Sequence, residues 1–126
     1  DIPQLATLDQ AAFDTPWQMS VYDLRQAYRI ASSCTVAILD DAIIGFQIST
    51  FFFDGAHLAR LAVHPTAQGR GVGSALLRDL LERYTRRGIP MMTVNTQESN
   101  LQSRRLYQRF GFELNGYNLP YWAIRL

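Results

Sequence analysis

The chain of 126 residues contains no lysine, and its 12 basic residues are all arginine. A nucleotide-binding loop of the Gly-Lys-Ser/Thr kind is thereby excluded. Against 11 acidic residues the net charge is only +1, so the total carries no electrostatic footprint for DNA or RNA, and nucleic acid is not expected as a partner. Cysteine occurs once, as Cys34. That excludes an internal disulfide framework and fits a reducing compartment. No apolar run approaches the roughly 18 residues of a membrane span and no signal-peptide layout opens the chain, so a cytoplasmic protein with no membrane partner is expected. Repeats, linkers and low-complexity segments are also missing. What remains is 48% hydrophobic and 18% charged residues, an ordinary globular balance. The length suffices for one core and not for two, which predicts a single domain over 1–126.

Glycine is concentrated in one place. The run from Leu61 to Leu77 reads as an apolar strand ending near Val63, a break at Pro65, a turn from Gln68 to Gly73 and a helix start. Backbone N–H groups of such a turn, unhindered at Gly69, Gly71 and Gly73, can close on phosphate oxygens, and the helix behind adds the positive end of its dipole. A plain strand-to-helix turn would need one glycine. A dinucleotide fingerprint begun at Gly69 and Gly71 meets Ser74 at its third position and lacks an acidic residue about 20 positions later.

Periodicity organises the rest. Leu5 to Phe13 and Val21 to Ile30 have helical spacing, the second opened by Ser20 with Asp23 three residues on. Between them lies a loop with an exposed Trp17. Thr35 to Leu39 and Ile43 to Phe53 read as strands joined by Asp40-Asp41-Ala42, and Asp54-Gly55 reads as a two-residue hairpin turn into Ala56 to Val63. A helix from Val72 to about Arg87 ends at Gly88; Met91 to Val94 is a strand placed for parallel pairing. A last helix, Leu101 to Phe110, closes at Gly111. Phe112 to Tyr117 and Tyr121 to Leu126 finish as strands.

Gln68, Gly71 and Gly73, spaced Q-x-x-G-x-G after an A-V-H-P strand end, resemble the coenzyme turn of the GNAT superfamily of acetyl-CoA-dependent N-acetyltransferases. The resemblance extends over roughly Ala6 to Leu126. It implies an α/β domain with an antiparallel meander, a splayed parallel strand pair, a closing hairpin and flanking helices; the family's first strand is expected to be missing, since the sequence opens almost at the first helix. It implies acetyl-CoA as cosubstrate, with Leu61, Ala62, Val63 and the turn residues Gln68, Gly69, Arg70, Gly71, Val72, Gly73 and Ser74 against it. No metal is expected, and a homodimer is compatible with these readings.

Asn100, Ser103 and Tyr107 fall at i, i+3 and i+7 on one helix face. By themselves they fit an N-cap and a core aromatic. In the family, the pattern N-x-x-x-x-x-x-Y-x-x-x-G-F puts the asparagine near the pantetheine and the tyrosine near the coenzyme sulfur. A phenol titrating near 10 stays protonated at neutral pH and can serve a departing thiolate. Backbone N–H groups at the splayed end of the Leu61 to Val63 strand are candidate oxyanion donors. Cys34, on an early strand, reads as a small buried hydrophobe.

The base is less plain. Pro16-Trp17 and the Tyr107 segment resemble ribosomal-protein alanine N-acetyltransferases, in which a glutamate five residues before the helix-opening asparagine takes the proton; this chain has Asn95 there. The carboxylate position of the histone-modifying branch is His57 here, and Glu98 is the second candidate. Strict strand alternation places His57 on the same face as Leu61. His57 beside a tight turn also fits a solvated residue, and His64 reads as structural. Trp17, Tyr117, Tyr121 and Trp122 are candidates for an acceptor pocket or for packing. The expected reaction is direct attack of a primary amine, a peptide N-terminus or small-molecule amine, on acetyl-CoA in a ternary complex. The alternative is a non-catalytic acyl-CoA-binding regulatory module.

Overall fold

Pro3 does not delay the first helix. In the first turn a missing N–H costs nothing, so α1 spans Ile2–Ala12, three residues earlier than its apolar spacing suggests. The protein is described here from a computed structural model over residues 1–14, 17–95, 101–115 and 121–126. Helix α2, Val21–Ile30, opens with the expected capping box: Asp23 N–H donates to Ser20 Oγ at 3.0 Å and Ser20 N–H to Asp23 Oδ2 at 3.3 Å.

Three antiparallel strands follow: β1 (Ser33–Leu39), β2 (Ala42–Phe52) and β3 (Gly55–Val63). The first turn is only Asp40-Asp41, with φ of 51° and 64°. Two left-handed residues match the twist of a hairpin, and aspartate tolerates them. The second turn is displaced from the expected Asp54-Gly55. Gly55 already pairs with Phe52 in the ladder, and a Cβ there would overlap the Met91 carbonyl oxygen, so this glycine serves close strand approach rather than turning.

A 3-10 turn at Pro65–Ala67 leads to α3 (Val72–Arg86), then β4 (Met91–Val94), α4 (Leu101–Arg109), β5 (Glu113–Asn115) and β6 (Tyr121–Arg125). Among the described residues six strands are ordered β1-β2-β3-β4-β6-β5, and of these pairs only β3 and β4 are parallel. The last strand thus inserts between β4 and β5. Each sheet face has its own core. Leu77, Leu80, Tyr84, Tyr107 and Phe112 from the α3 and α4 side meet Ala56, Leu58, Met92, Val94 and Trp122 of the sheet; Leu5, Ala6, Leu8 and Leu24 of α1 and α2 cover Phe46, Ile48 and Ala62 on the other.

Ala59 interrupts β3. Ile48 pairs with Arg60 but Ser49 pairs with Leu58, which leaves one extra residue on β3 and reverses its alternation. Leu58 and Leu61 therefore share the α3 and α4 face, while Ala62 lies on the face of α1 and α2. His57, opposite Thr50 and next to Leu58, is turned to that second face as well.

Candidate active site

The turn after β3 is held in shape by its own polar groups. His64 Nδ1 accepts the Thr66 N–H at 3.2 Å, and Gln68 Nε2 donates to the Val63 carbonyl at 3.1 Å, tying the turn to the strand end. Gly69 and Gly71 have φ of +79° and +81° with nothing within 4 Å of a Cβ, so conformation rather than space requires glycine at both. Gly71 is the N-cap of α3 and provides no side-chain acceptor. The first-turn N–H groups of α3 thus have no capping side chain, an arrangement suited to an anion. They border a cavity of about 400 Å³ lined also by Leu61, Val63, Gln68, Ser103 and Leu106. Arg109, from the end of α4, reaches into it and donates to Ser74 Oγ at 3.3 Å. Cationic charge beside a helix N-terminus fits a pyrophosphate.

The described pairing of β3 with β4 ends at Leu58 and Val94. Beyond it β3 has no strand partner on that edge among the described residues. His64 N–H donates to the Ile44 carbonyl of β2 at 2.8 Å, so alternation turns the N–H groups of Leu61 and Val63 to the opposite, splayed edge. Those are donors of the kind an oxyanion or an amide-containing arm requires. Ala62 differs: its backbone faces β2 and its side chain is in the core.

A second cavity of about 370 Å³ lies at the splay, between Leu58, Ala59, Arg60 and Leu61 of β3, Val94 and Asn95 at the end of β4, and Tyr107 of α4; Phe13 and Trp17 complete its wall. It meets the first cavity at Phe13, Leu61 and Ser103. Tyr107 is only 4% exposed and packs edge-on to Phe112 with ring centroids 5.5 Å apart. Burial pushes its phenol well above the ordinary tyrosine range, so the hydroxyl stays protonated throughout neutral pH.

Several expectations are modified. The alternation that placed His57 beside Leu61 fails because of the bulge at Ala59. His57 lines neither cavity; its Nδ1 is 2.8 Å from Thr93 Oγ1, and burial lowers its pKa. Arg70 is exposed and outside both linings. Glu98, Asn100 and Tyr117 lie outside the described residues. Trp122 is a core residue at 6% exposure and lines neither cavity, as is true of the half-buried Tyr121, whereas Trp17 does wall the second one. Cys34 is half-buried against the α1 and α2 core and lines neither. The two charged lining residues were not marked by the sequence. Arg109 sits two residues after Tyr107, and Arg60 four before His64; nothing in a uniformly arginine-bearing chain distinguishes them before their neighbours are known. No trio of His, Cys, Asp or Glu able to hold a metal occurs among the described residues, and no helix there is long and apolar enough to cross a membrane.

The chain is similar to known proteins along most of its length. It is 32% identical over 112 residues to a [ribosomal protein bS18]-alanine N-acetyltransferase of Haemophilus influenzae, covering 89% of this chain and 75% of that one. The corresponding protein of Salmonella typhimurium is 30% identical over 112 residues, covering 89% and 74%. Among solved structures, the ribosomal-protein-S18-alanine N-acetyltransferase of Escherichia coli superposes with a TM-score of 0.86 at 21% identity, over 100% of this chain and 86% of that one. The PaiA N-acetyltransferase of Thermoplasma acidophilum, in complex with coenzyme A, gives 0.86 at 16% identity over 100% and 93%. The model of the Acetyltransferase (GNAT) family matches residues 2–112, and with the glycine turn, the splayed parallel pair and the buried tyrosine in place, the chain belongs to that family as an N-acetyltransferase.

Proposed function

We propose that the protein transfers the acetyl group of acetyl-CoA to the α-amine of a peptide, by direct attack while both substrates are bound. The observation that carries this reading is the pair of adjoining cavities, one at the uncapped start of α3 and the other bounded by Tyr107, which meet at Leu61 and Ser103. Coenzyme A supplies an activated thioester. Gly69, Gly71, Val72, Gly73, Ser74 and Arg109 bind its anionic part, and the Leu61 and Val63 N–H groups hold carbonyl oxygens along the splayed edge. Tyr107 lies in the second cavity as a protonated phenol, the form a departing thiolate needs as a hydrogen-bond donor. Cys34 is absent from both linings, which supports transfer without an acyl-enzyme.

The acceptor class rests on two supports. The relatives named above are, by their names, N-acetyltransferases acting on an alanine of ribosomal protein bS18. In addition, the described lining of the second cavity holds no carboxylate to attract a polycation, and its one charged side chain is the cationic Arg60. An α-amine has a pKa near 8 against about 10.4 for lysine, so a useful fraction is neutral in water without a strong protein base. His57 is not assigned that task, since it faces away from Leu61; solvent takes the proton.

The test is an amine panel with acetyl-CoA, read by thiol release and by mass of the product: a peptide with free N-terminal alanine, the same peptide blocked at its N-terminus but carrying lysine, a polyamine and an aminoglycoside. The free N-terminus should react fastest, with intersecting double-reciprocal lines. Faster acetylation of lysine or polyamine overturns the acceptor assignment, and parallel lines overturn direct transfer.

A further inference from the structure

Asp9 is a fully buried carboxylate on α1, and its partner is Arg60 on β3. Arg60 Nε donates to Oδ1 at 2.7 Å and Nη2 to Oδ2 at 2.8 Å, a two-point pairing that fixes the guanidinium plane. The same Nη2 donates to the Trp17 carbonyl at 2.7 Å. The guanidinium carbon stands 3.9 Å from the centre of the Phe13 ring. Asp9 Oδ2 also accepts the Met19 N–H at 2.6 Å. Both aromatic residues that α1 and its following connection contribute to the second cavity are thus held by one arginine, itself turned toward α1 by the bulge at Ala59.

We propose that Arg60, fixed by Asp9, is a positioning residue that sets the affinity for the acceptor by holding Trp17 and Phe13 as the wall of the second cavity. The inference rests on the reading of that cavity as the acceptor's. The physical ground is that the pair costs desolvation of two charges, which packing of apolar residues would avoid, yet it places three donor groups of the sheet and the connection on one carboxylate. A lysine would keep the charge but lose the two-point geometry and the planar face over Phe13.

The test is Arg60→Lys in the full chain, with acceptor KM, kcat, acetyl-CoA Kd and acrylamide quenching of tryptophan fluorescence. Trp17 is 51% exposed and Trp122 only 6%, so quenching reports mainly on Trp17. The expected result is an acceptor KM raised about tenfold or more, with kcat and acetyl-CoA Kd changed less than about threefold and Trp17 quenched more readily. Unchanged KM with unchanged quenching overturns the proposal. So does a rise in acceptor KM matched by comparable losses of kcat and coenzyme affinity, the mark of a merely structural pair. If Arg60→Lys does not fold, Trp17→Ala removes the wall directly; an unaltered acceptor KM there overturns the proposal equally. A wild-type protein that acetylates no amine would refute the proposed function, while the quenching comparison still decides whether Arg60 holds Trp17.

Discussion

His57 and Leu61 point to opposite faces of β3, because Ala59 bulges between them. A histidine four residues from a strand position at the splay would otherwise meet the same ligand. Its pairing with Thr93 instead places it on the α1 and α2 side of the sheet.

For His57 the expected outcome has two parts. The pH profile of kcat/KM should follow the acceptor amine and be the same in His57→Gln, as initial rates between pH 5.5 and about 9 would register. A His57-dependent acid limb would restore the base role. Stability should behave differently. Burial lowers the folded-state pKa below the ordinary 6.5, so the unfolded chain takes up this proton first on acidification. The contribution is present above pH 6.5 and is lost as the pH falls through the lower folded value. Denaturant midpoints at pH 7.5 and 5 should therefore separate less in His57→Gln than in the parent.

Gly71 and Gly73 should respond unequally to substitution. Gly71→Val places a β-branched residue at φ +81°, at a cost of roughly 1–2 kcal/mol, and projects a side chain into open space at the cavity's edge. A folded variant with acetyl-CoA affinity reduced more than about tenfold is expected by calorimetric titration. Gly73→Ala meets Leu106 Cδ2 at 3.4 Å and Val63 Cγ2 at 3.6 Å, ordinary contacts, so it should fold as well as the parent. Equal coenzyme affinity in Gly71→Val and wild type would remove the turn from the binding site.

Tyr107→Phe should keep its packing against Phe112 and its thermal midpoint while turnover falls by about 100- to 10,000-fold. Acetyl-CoA affinity should be nearly unaltered. Because the phenol is held protonated by burial, no alkaline limb below about pH 10 should arise from it. Wild-type turnover in the variant, under single-turnover conditions, would reduce Tyr107 to a core residue.

Arg109→Leu should weaken acetyl-CoA by roughly tenfold, the scale of one charge-assisted hydrogen bond. The dependence of affinity on salt should become shallower in the same variant, since one cation beside the α3 N-terminus is gone. An unchanged salt slope would place the guanidinium outside the anion's reach.

Element types and most boundaries were legible because each had a local cause: a capping box at Ser20 and Asp23, period-2 apolar residues in the strands, left-handed glycines at Gly69, Gly71, Gly88 and Gly111. The glycine turn was legible for the same reason, since a helix N-terminus and its glycines lie within six residues of chain. The wall of the second cavity was not. Arg60 acquires meaning only through Asp9, 51 positions away, and Arg109 only through Ser74, 35 away.

What the sequence by itself determined is therefore whatever the backbone conformation of a few consecutive residues requires: two glycines before a helix and a third in its first turn, a strand ending at Val63, a tyrosine on an amphipathic helix. What only the tertiary structure decided is which side chains meet across elements. The insertion of β6 between β4 and β5, the single extra residue at Ala59 and the burial of Asp9 under Arg60 depend on packing of distant segments. A bulge displaces pairing by one position without leaving a mark in apolar periodicity, and so the face on which His57 lies could be read only from its neighbours.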